Sequence, residues 1–239
     1  GIISFRNSLG IIFGSNIGTT ITAQLALINS VSIAYILIIL GSLLNVLGKK
    51  FKIISKPIFF LGLILFALNF LTSFIEPLKN DPNVMYFFSH LSNPLLAYLF
   101  SAIFTMIIHS SSVTSGITVV LVQGGVIPVE VGIPMILGAN IGSSITALIA
   151  SMNLNLFAKR AGFANFLFNA IGTILFMIFL PHFIQFMQYV VNVPAQQVAL
   201  AHLFFNLFNT IVFLLLLVPF EKLVSWIIRG DEEEVLFKT

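Results

Sequence analysis

The chain has no cysteine, a single tryptophan and, across 239 residues, only 8% charged side chains. The lack of cysteine excludes disulfides and thiolate metal centres, while leaving the compartment open. The scarcity of charge excludes an ordinary soluble domain, in which about a quarter of residues are charged. A net charge of +3 is too small to mark a nucleic-acid binder. The eight acidic residues all fall in expected loops or ends, so no carboxylate is available within a membrane for a proton relay. There is no G-x-S-x-G elbow and no grouping of His or carboxylates at metal-ligand spacing. His109 beside Ser110 along the chain does not make a nucleophile–base pair. These absences count against an enzyme, and no cofactor is expected.

What is present is hydrocarbon: 58% of residues are hydrophobic, with a mean hydropathy of +1.08. The sequence describes an all-α integral membrane protein lying in a lipid bilayer. Candidate spans are 31–48, 57–75, 162–181 and 198–219, each near the length that crosses a hydrocarbon core of roughly 30 Å. Phe-rich runs are read as lipid-facing or interhelical surface.

Between these spans lie pieces too polar to face lipid. "GSNIGTTITA" occupies 14–23 and a near copy, "GANIGSSITA", occupies 138–147. Laid over one another at an offset of 124, residues 1–23 and 125–147 share ten identities: Gly1, Ile3, Ile12, Gly14, Asn16, Ile17, Gly18, Ile21, Thr22 and Ala23. This is an internal duplication. A third polar stretch, "HSSSVTSG" at 109–116, interrupts two short apolar pieces, 94–108 and 113–123. Three consecutive hydroxyls cannot share one helical face, so a re-entrant hairpin with these residues at its tip is expected.

Lys and Arg set the orientation, because short cytoplasmic loops collect them. Lys49, Lys50, Lys52 and Lys56 put the loop after the first span inside, as do Lys159 and Arg160 after the second Asn stretch and Lys222, Arg229 and Lys238 at the end. With Arg6 at the inner end of the first segment, ten of eleven basic residues fall inside, the exception being Lys79. In this topology the two copies cross in opposite directions. Inverted repeats with discontinuous segments are a signature of secondary transporters, with the site near the midplane.

Gly14, Gly18, Gly138 and Gly142 would permit helix breaks at membrane depth, exposing N–H groups suited to an oxyanion and carbonyls suited to Na⁺. Asn16, Thr19, Thr20, Asn140, Ser143 and Ser144 add neutral oxygens and donors that could serve either ion. Ser110, Ser111 and Ser112 suit an anion at the hairpin tip. The same glycine spacing also serves close helix packing, and serines can instead bond back to their own helix carbonyls. Asn169 and Asn206, which recur in a Phe-Asn setting, are read as interhelical hydrogen-bonders. His202 is read as a buried hydrogen-bonder and His182 as interfacial, and the acidic run 231–234 as a solvated tail.

The pairing of "HSSS" at 109–112 with "GSNIGTT" at 14–20 and "GANIGSS" at 138–144 resembles the type II sodium/phosphate cotransporters and their bacterial relatives. "GLILFALNFLTSFIEPL" from Gly62, "RAGFANFLFN" from Arg160 and "ALAHLFFN" from Ala199 extend the likeness over nearly the whole chain. The resemblance implies symport of inorganic phosphate with Na⁺ as coupling ion, by alternating access, in a bacterial inner membrane. It implies a site built from His109, Ser110, Ser111 and Ser112, from Asn16, Gly18, Thr19 and Thr20, and from Asn140, Gly142, Ser143 and Ser144, with Na⁺ at Asn16, Thr19, Asn140 and Ser143. His109 stands where the family has glutamine. The 124 offset puts a counterpart of His109 before Gly1, so the first serine motif is absent and a truncated chain is expected. On this reading 1–56 is the remainder of the first inverted repeat, 57–220 the second, and 221–239 a cytoplasmic tail. The alternatives are an anion channel, a transporter of another small anion, or a membrane scaffold fragment. Saturable, Na⁺-dependent flux separates the transporter from the channel. The sequence does not fix the oligomeric state.

Overall fold

A computed structural model describes residues 4–28, 30–48 and 50–230, apart from the Glu76 side chain. Gly1 and Ile3 of the repeat, Lys49, the acidic run 231–234 and Lys238 lie outside these residues. Among the described residues every regular element is helical. In chain order these are α1 (Phe5–Thr19), α2 (Ile21–Leu25), α3 (Val31–Val46), α4 (Lys52–Lys79), α5 (Pro82–Ser89), a 3₁₀ turn (His90–Ser92), α6 (Pro94–Ile108), α7 (Ser111–Gln123), α8 (Val129–Ser151), α9 (Leu156–Ile178), α10 (Leu180–Val190), α11 (Pro194–Leu215) and α12 (Leu217–Ile227).

Four of the described helices, α4, α8, α9 and α11, are long and apolar enough to cross a membrane. Three correspond to the expected spans 57–75, 162–181 and 198–219. The expected span 31–48 is α3, with only 16 residues. The fourth long helix is α8, which carries the second Asn motif and is the most enclosed of the four.

The expected break at Gly138 and Gly142 does not occur: α8 runs unbroken from Val129 to Ser151. Its polar side chains bond to carbonyls of their own helix, Asn140 Nδ2 to Ile136 at 3.1 Å, Ser143 Oγ to Asn140 at 3.0 Å and Ser144 Oγ to Ile141 at 2.8 Å. The helix therefore needs no water-filled gap to satisfy them. The two glycines let α6 approach instead, since a Cβ at Gly138 would strike the Tyr98 carbonyl oxygen and one at Gly142 the Ala102 carbonyl oxygen. In the first copy α1 also passes through Gly14 and Gly18 as a helix and ends at Thr19, so the interruption falls at Thr20.

Two apolar clusters hold the bundle. One surrounds α7 and α8, with Val119, Ile133, Ile136 and Val198 at its centre. The other joins α1, α9, α11 and α12 through Phe13, which lies 5.0 Å from the Phe168 ring, 6.1 Å from Phe213 and 6.2 Å from Phe220. Many large apolar side chains on the outer faces stay exposed, such as Ile36, Ile39, Ile107, Ile174 and Leu215. A bilayer would cover such a surface; water would not tolerate it.

Charged groups gather toward opposite ends. Arg6 Nε lies 3.8 Å from Glu221 Oε2, Arg160 Nε donates to the Ile228 carbonyl at 3.1 Å, and the Arg160 guanidinium sits 6.0 Å from the Phe5 ring. Farther along the bundle, Gln188 Nε2 donates to Glu130 Oε1 at 3.2 Å.

Candidate functional site

The serine motif sits where two helices meet. Asn93 caps α6, which ends at His109, the one non-glycine residue with positive φ among the described residues, at 60°. That left-handed turn reverses the chain, and His tolerates it better than a β-branched residue would. Ser110 then caps α7, its Oγ accepting from the Val113 N–H at 3.3 Å. Thr105 Oγ1 donates to Thr114 Oγ1 at 2.8 Å and clips the two arms together just below the turn. The hydroxyls of Ser111 and Ser112 have no protein partner among the described residues. Their amides are the first two of α7, which a helix leaves without intrahelical acceptors.

This tip opens on a cleft of about 620 Å³. His109, Ser110, Ser111 and Ser112 form one wall, Asn16 and Thr19 of α1 a second, and Ser143 of α8 a third. Ala158, Gly162 and Asn165 of α9 close the fourth. Thr19 Oγ1 donates to the Asn16 carbonyl at 2.8 Å and Ser143 Oγ to the Asn140 carbonyl. Each of these hydroxyls thus spends its proton on its own helix and offers only lone pairs to the cleft. Free hydroxyl donors thus stand at Ser111 and Ser112 of α7 and at Ser15 of α1, while Thr19 and Ser143 offer acceptors.

Seven of the twelve residues implied by the sequence meet at this cleft. Thr20, Asn140, Gly142 and Ser144 are buried in helix contacts away from it, and Gly18 is exposed outside it. Asn16 reaches the cleft with its amide already occupied: Nδ2 donates to the Ile12 carbonyl and to Asn165 Oδ1, each at 2.9 Å, and Oδ1 accepts from Asn169 Nδ2 at 3.2 Å. Asn165 is a cleft residue that sequence reasoning missed. The available signal was "ANFLFN" at 164–169 beside "AHLFFN" at 201–206, which aligns Asn165 with His202. The alignment has structural content, because Asn165 holds Asn16 as His202 Nε2 meets Asn140 Oδ1, at 3.3 Å.

The two motif helices run in opposite directions past the cleft. From Thr19 the first continues into α2, where Thr22 lies against Gly116, more than a turn into α7. The second starts at the far end, where Gly132 packs on Val122 near the end of α7, and reaches the cleft only at Ser143.

A family model described as Na+/Pi-cotransporter matches residues 1–73 and 81–190. The chain belongs to this family. Within the Na+/Pi-cotransporter family it is 31% identical over 201 residues to the uncharacterized protein YqeW of Bacillus subtilis, covering 82% of this chain and 64% of the relative. It is 26% identical over 182 residues to Escherichia coli YjbB, whose name proposes inorganic phosphate export, covering 75% of this chain and 34% of the relative. Human sodium-dependent phosphate transport protein 2B is 35% identical over 108 residues, 43% of this chain and 16% of that one. The chain thus spans less than two thirds of each of these relatives. No solved structure matches it significantly. Family membership and the four long apolar helices together make this a multi-pass membrane protein of a transporter family.

Proposed function

We propose that this protein binds inorganic phosphate at the serine-lined end of α7 and moves it across the membrane coupled to Na⁺. The observation that carries this reading is the cleft in which the Ser110-capped start of α7, with the free hydroxyls of Ser111 and Ser112, faces the hydroxyl lone pairs of Thr19 and Ser143. A phosphate oxyanion accepts from the Ser111 and Ser112 hydroxyls and from the open amides, helped by the positive end of the helix dipole. Na⁺ takes the oxygens across the cleft, where no carboxylate is required.

The opposed directions of the two motif helices support the inverted-repeat architecture, in which one repeat rocks against the other around a central site. The arms of the hairpin support a re-entrant element. With 15 residues in α6 and 13 in α7, they extend about 22 and 20 Å, short of a hydrocarbon core of roughly 30 Å. The names of relatives support phosphate and Na⁺ as cargo.

The test is radiolabelled phosphate uptake into proteoliposomes with and without an inward Na⁺ gradient. It uses this chain alone and a version extended by the part of YqeW that the match leaves uncovered. The expected outcome is saturable, Na⁺-driven uptake by the extended version at least. Folded, inserted protein that moves no phosphate in either form would overturn the reading, and ohmic, uncoupled anion conductance would replace it with a channel.

A further inference from the structure

A second cavity, of about 260 Å³, lies between α9, α11 and α12 and shares no residue with the serine cleft. Packing of α9 on α11 sets its depth. The Phe168 and Phe213 rings meet at 5.1 Å on one side of it and the Phe176 and Phe205 rings at 5.1 Å on the other. Between these pairs Asn209 of α11 lies over Gly172 of α9, where a Cβ would strike its amide. The step from α11 to α12 at Leu216 then closes one end of the cavity with Pro219, Phe220 and Leu223.

Asn209 carries the one polar side chain of this lining, and it is 2% exposed. Elsewhere in the bundle Asn16, Asn69, Asn140, Asn169 and Asn206 each donate to the carbonyl four residues back on their own helix. Asn209 does not: turned onto Gly172, its Nδ2 has no hydrogen-bond partner among the described residues, and its Oδ1 accepts from none of them. An amide buried in this way is costly in apolar surroundings. Buried water answers such a need where two to four polar groups surround it, and here there is one. Ile171, Leu175, Phe208, Leu216 and Leu223 of the same lining are exposed, so the cavity opens on the surface that a bilayer covers.

We propose that this cavity binds a neutral single-chain amphiphile of the long-chain alcohol class, taken from the bilayer, with its hydroxyl on the Asn209 amide and its chain along Leu175, Phe208, Leu216 and Leu223. A hydroxyl both donates and accepts, so it serves whichever end of the amide it meets. A charged headgroup is disfavoured, because no charged side chain lines the cavity to pair with it. At about 260 Å³ the cavity falls just below the roughly 300–1,000 Å³ of sites for drug-sized ligands, which suits one slim chain over a fused-ring body. The inference is independent of the phosphate site and of transport.

The experiment is photolabelling of the purified protein in phosphatidylcholine nanodiscs with two probes that share a diazirine-bearing alkyl chain, one ending in a hydroxyl and the other in a methyl group. Mass spectrometry maps the adducts, and labelling of 171–175 and 208–223 is taken relative to that of the exposed face of α3, which cancels the different partitioning of the probes into lipid. The hydroxyl probe is expected to exceed the methyl probe about tenfold at the cavity, the effect of one or two hydrogen bonds to a buried amide. Asn209→Leu keeps the size and should bring the two probes level. It should fold no less stably than wild type, because it removes an amide with no protein partner to lose. Val212→Phe, which fills the cavity, should lower labelling by both probes. Equal labelling by the two probes in wild type overturns the proposal and leaves an ordinary lipid-facing crevice. A hydroxyl preference that survives Asn209→Leu, or Asn209→Ala where the leucine variant does not fold, overturns it too. So does a lining that neither probe reaches because another helix covers it.

Discussion

At the residue scale, chemically similar side chains separate according to where their protons go. Ser111 and Ser112 keep theirs, while Ser143 and Thr19 give theirs to carbonyls three residues back. Ser111→Ala should therefore weaken phosphate binding about tenfold, the value of one hydrogen bond to a charged group. It should change folding stability by less than about 0.5 kcal/mol, because the hydroxyl has no protein partner to lose. Binding isotherms and thermal melts of the same preparation check both halves. Glycines separate as sharply. Gly138→Ala and Gly142→Ala drive a methyl group into the backbone of α6 and should cost about 1–3 kcal/mol. Gly14 and Gly18, their equivalents by sequence, have nothing within 4 Å of the place a Cβ would take, so Gly14→Ala should be neutral or stabilising by up to about 1 kcal/mol. A melt series in one detergent decides the contrast. The duplicated motif was legible in the sequence, but the different work of its glycines was not, since it depends on which helix lies alongside.

At the element scale, the hairpin of α6 and α7 was legible nearly to the residue, with 94–108 and 113–123 expected against Pro94–Ile108 and Ser111–Gln123 observed. Asn93 before Pro94 and Ser110 before an apolar run are local helix-start signals, and local signals survive without knowledge of the rest of the fold. Ser110→Ala should remove that cap, cost about 1 kcal/mol and increase proteolytic nicking between His109 and Ser111. Proteolysis in nanodiscs, compared with wild type, measures it. By contrast α8 was expected to break and does not. Glycine and asparagine within an apolar run signal either a discontinuity or a tight helix contact, and only the presence of α6 against Gly138 and Gly142 selects between them.

At the scale of the whole molecule, the distribution of charge assigns an orientation that the cleft then inherits. Its α9 wall, at Ala158 and Gly162, flanks Lys159 and Arg160, the positions expected on the cytoplasmic side. The natural absence of cysteine makes single-cysteine labelling direct. Ser112→Cys should react with a membrane-impermeant maleimide from the cytoplasmic face, and Gln188→Cys, beside Glu130 at the other end, from the opposite face. Labelling with the two faces exchanged would invert the assigned topology, and labelling of both from one face would refute it. Phosphate in excess should protect Ser112→Cys and leave Gln188→Cys unaffected, which ties the cleft to its cargo.

The sequence by itself determined that the protein lives in a bilayer, that it repeats an Asn-Ile-Gly segment, and that a serine turn interrupts a hairpin, because hydropathy, duplication and helix caps are all written in neighbouring residues. Tertiary structure alone decided that Asn16 is occupied by Asn165 and Asn169 and that Asn140 lies against His202. Each of those facts depends on helices distant in sequence meeting at a particular rotation, where a turn of about 100° exchanges a lipid-facing residue for a buried one.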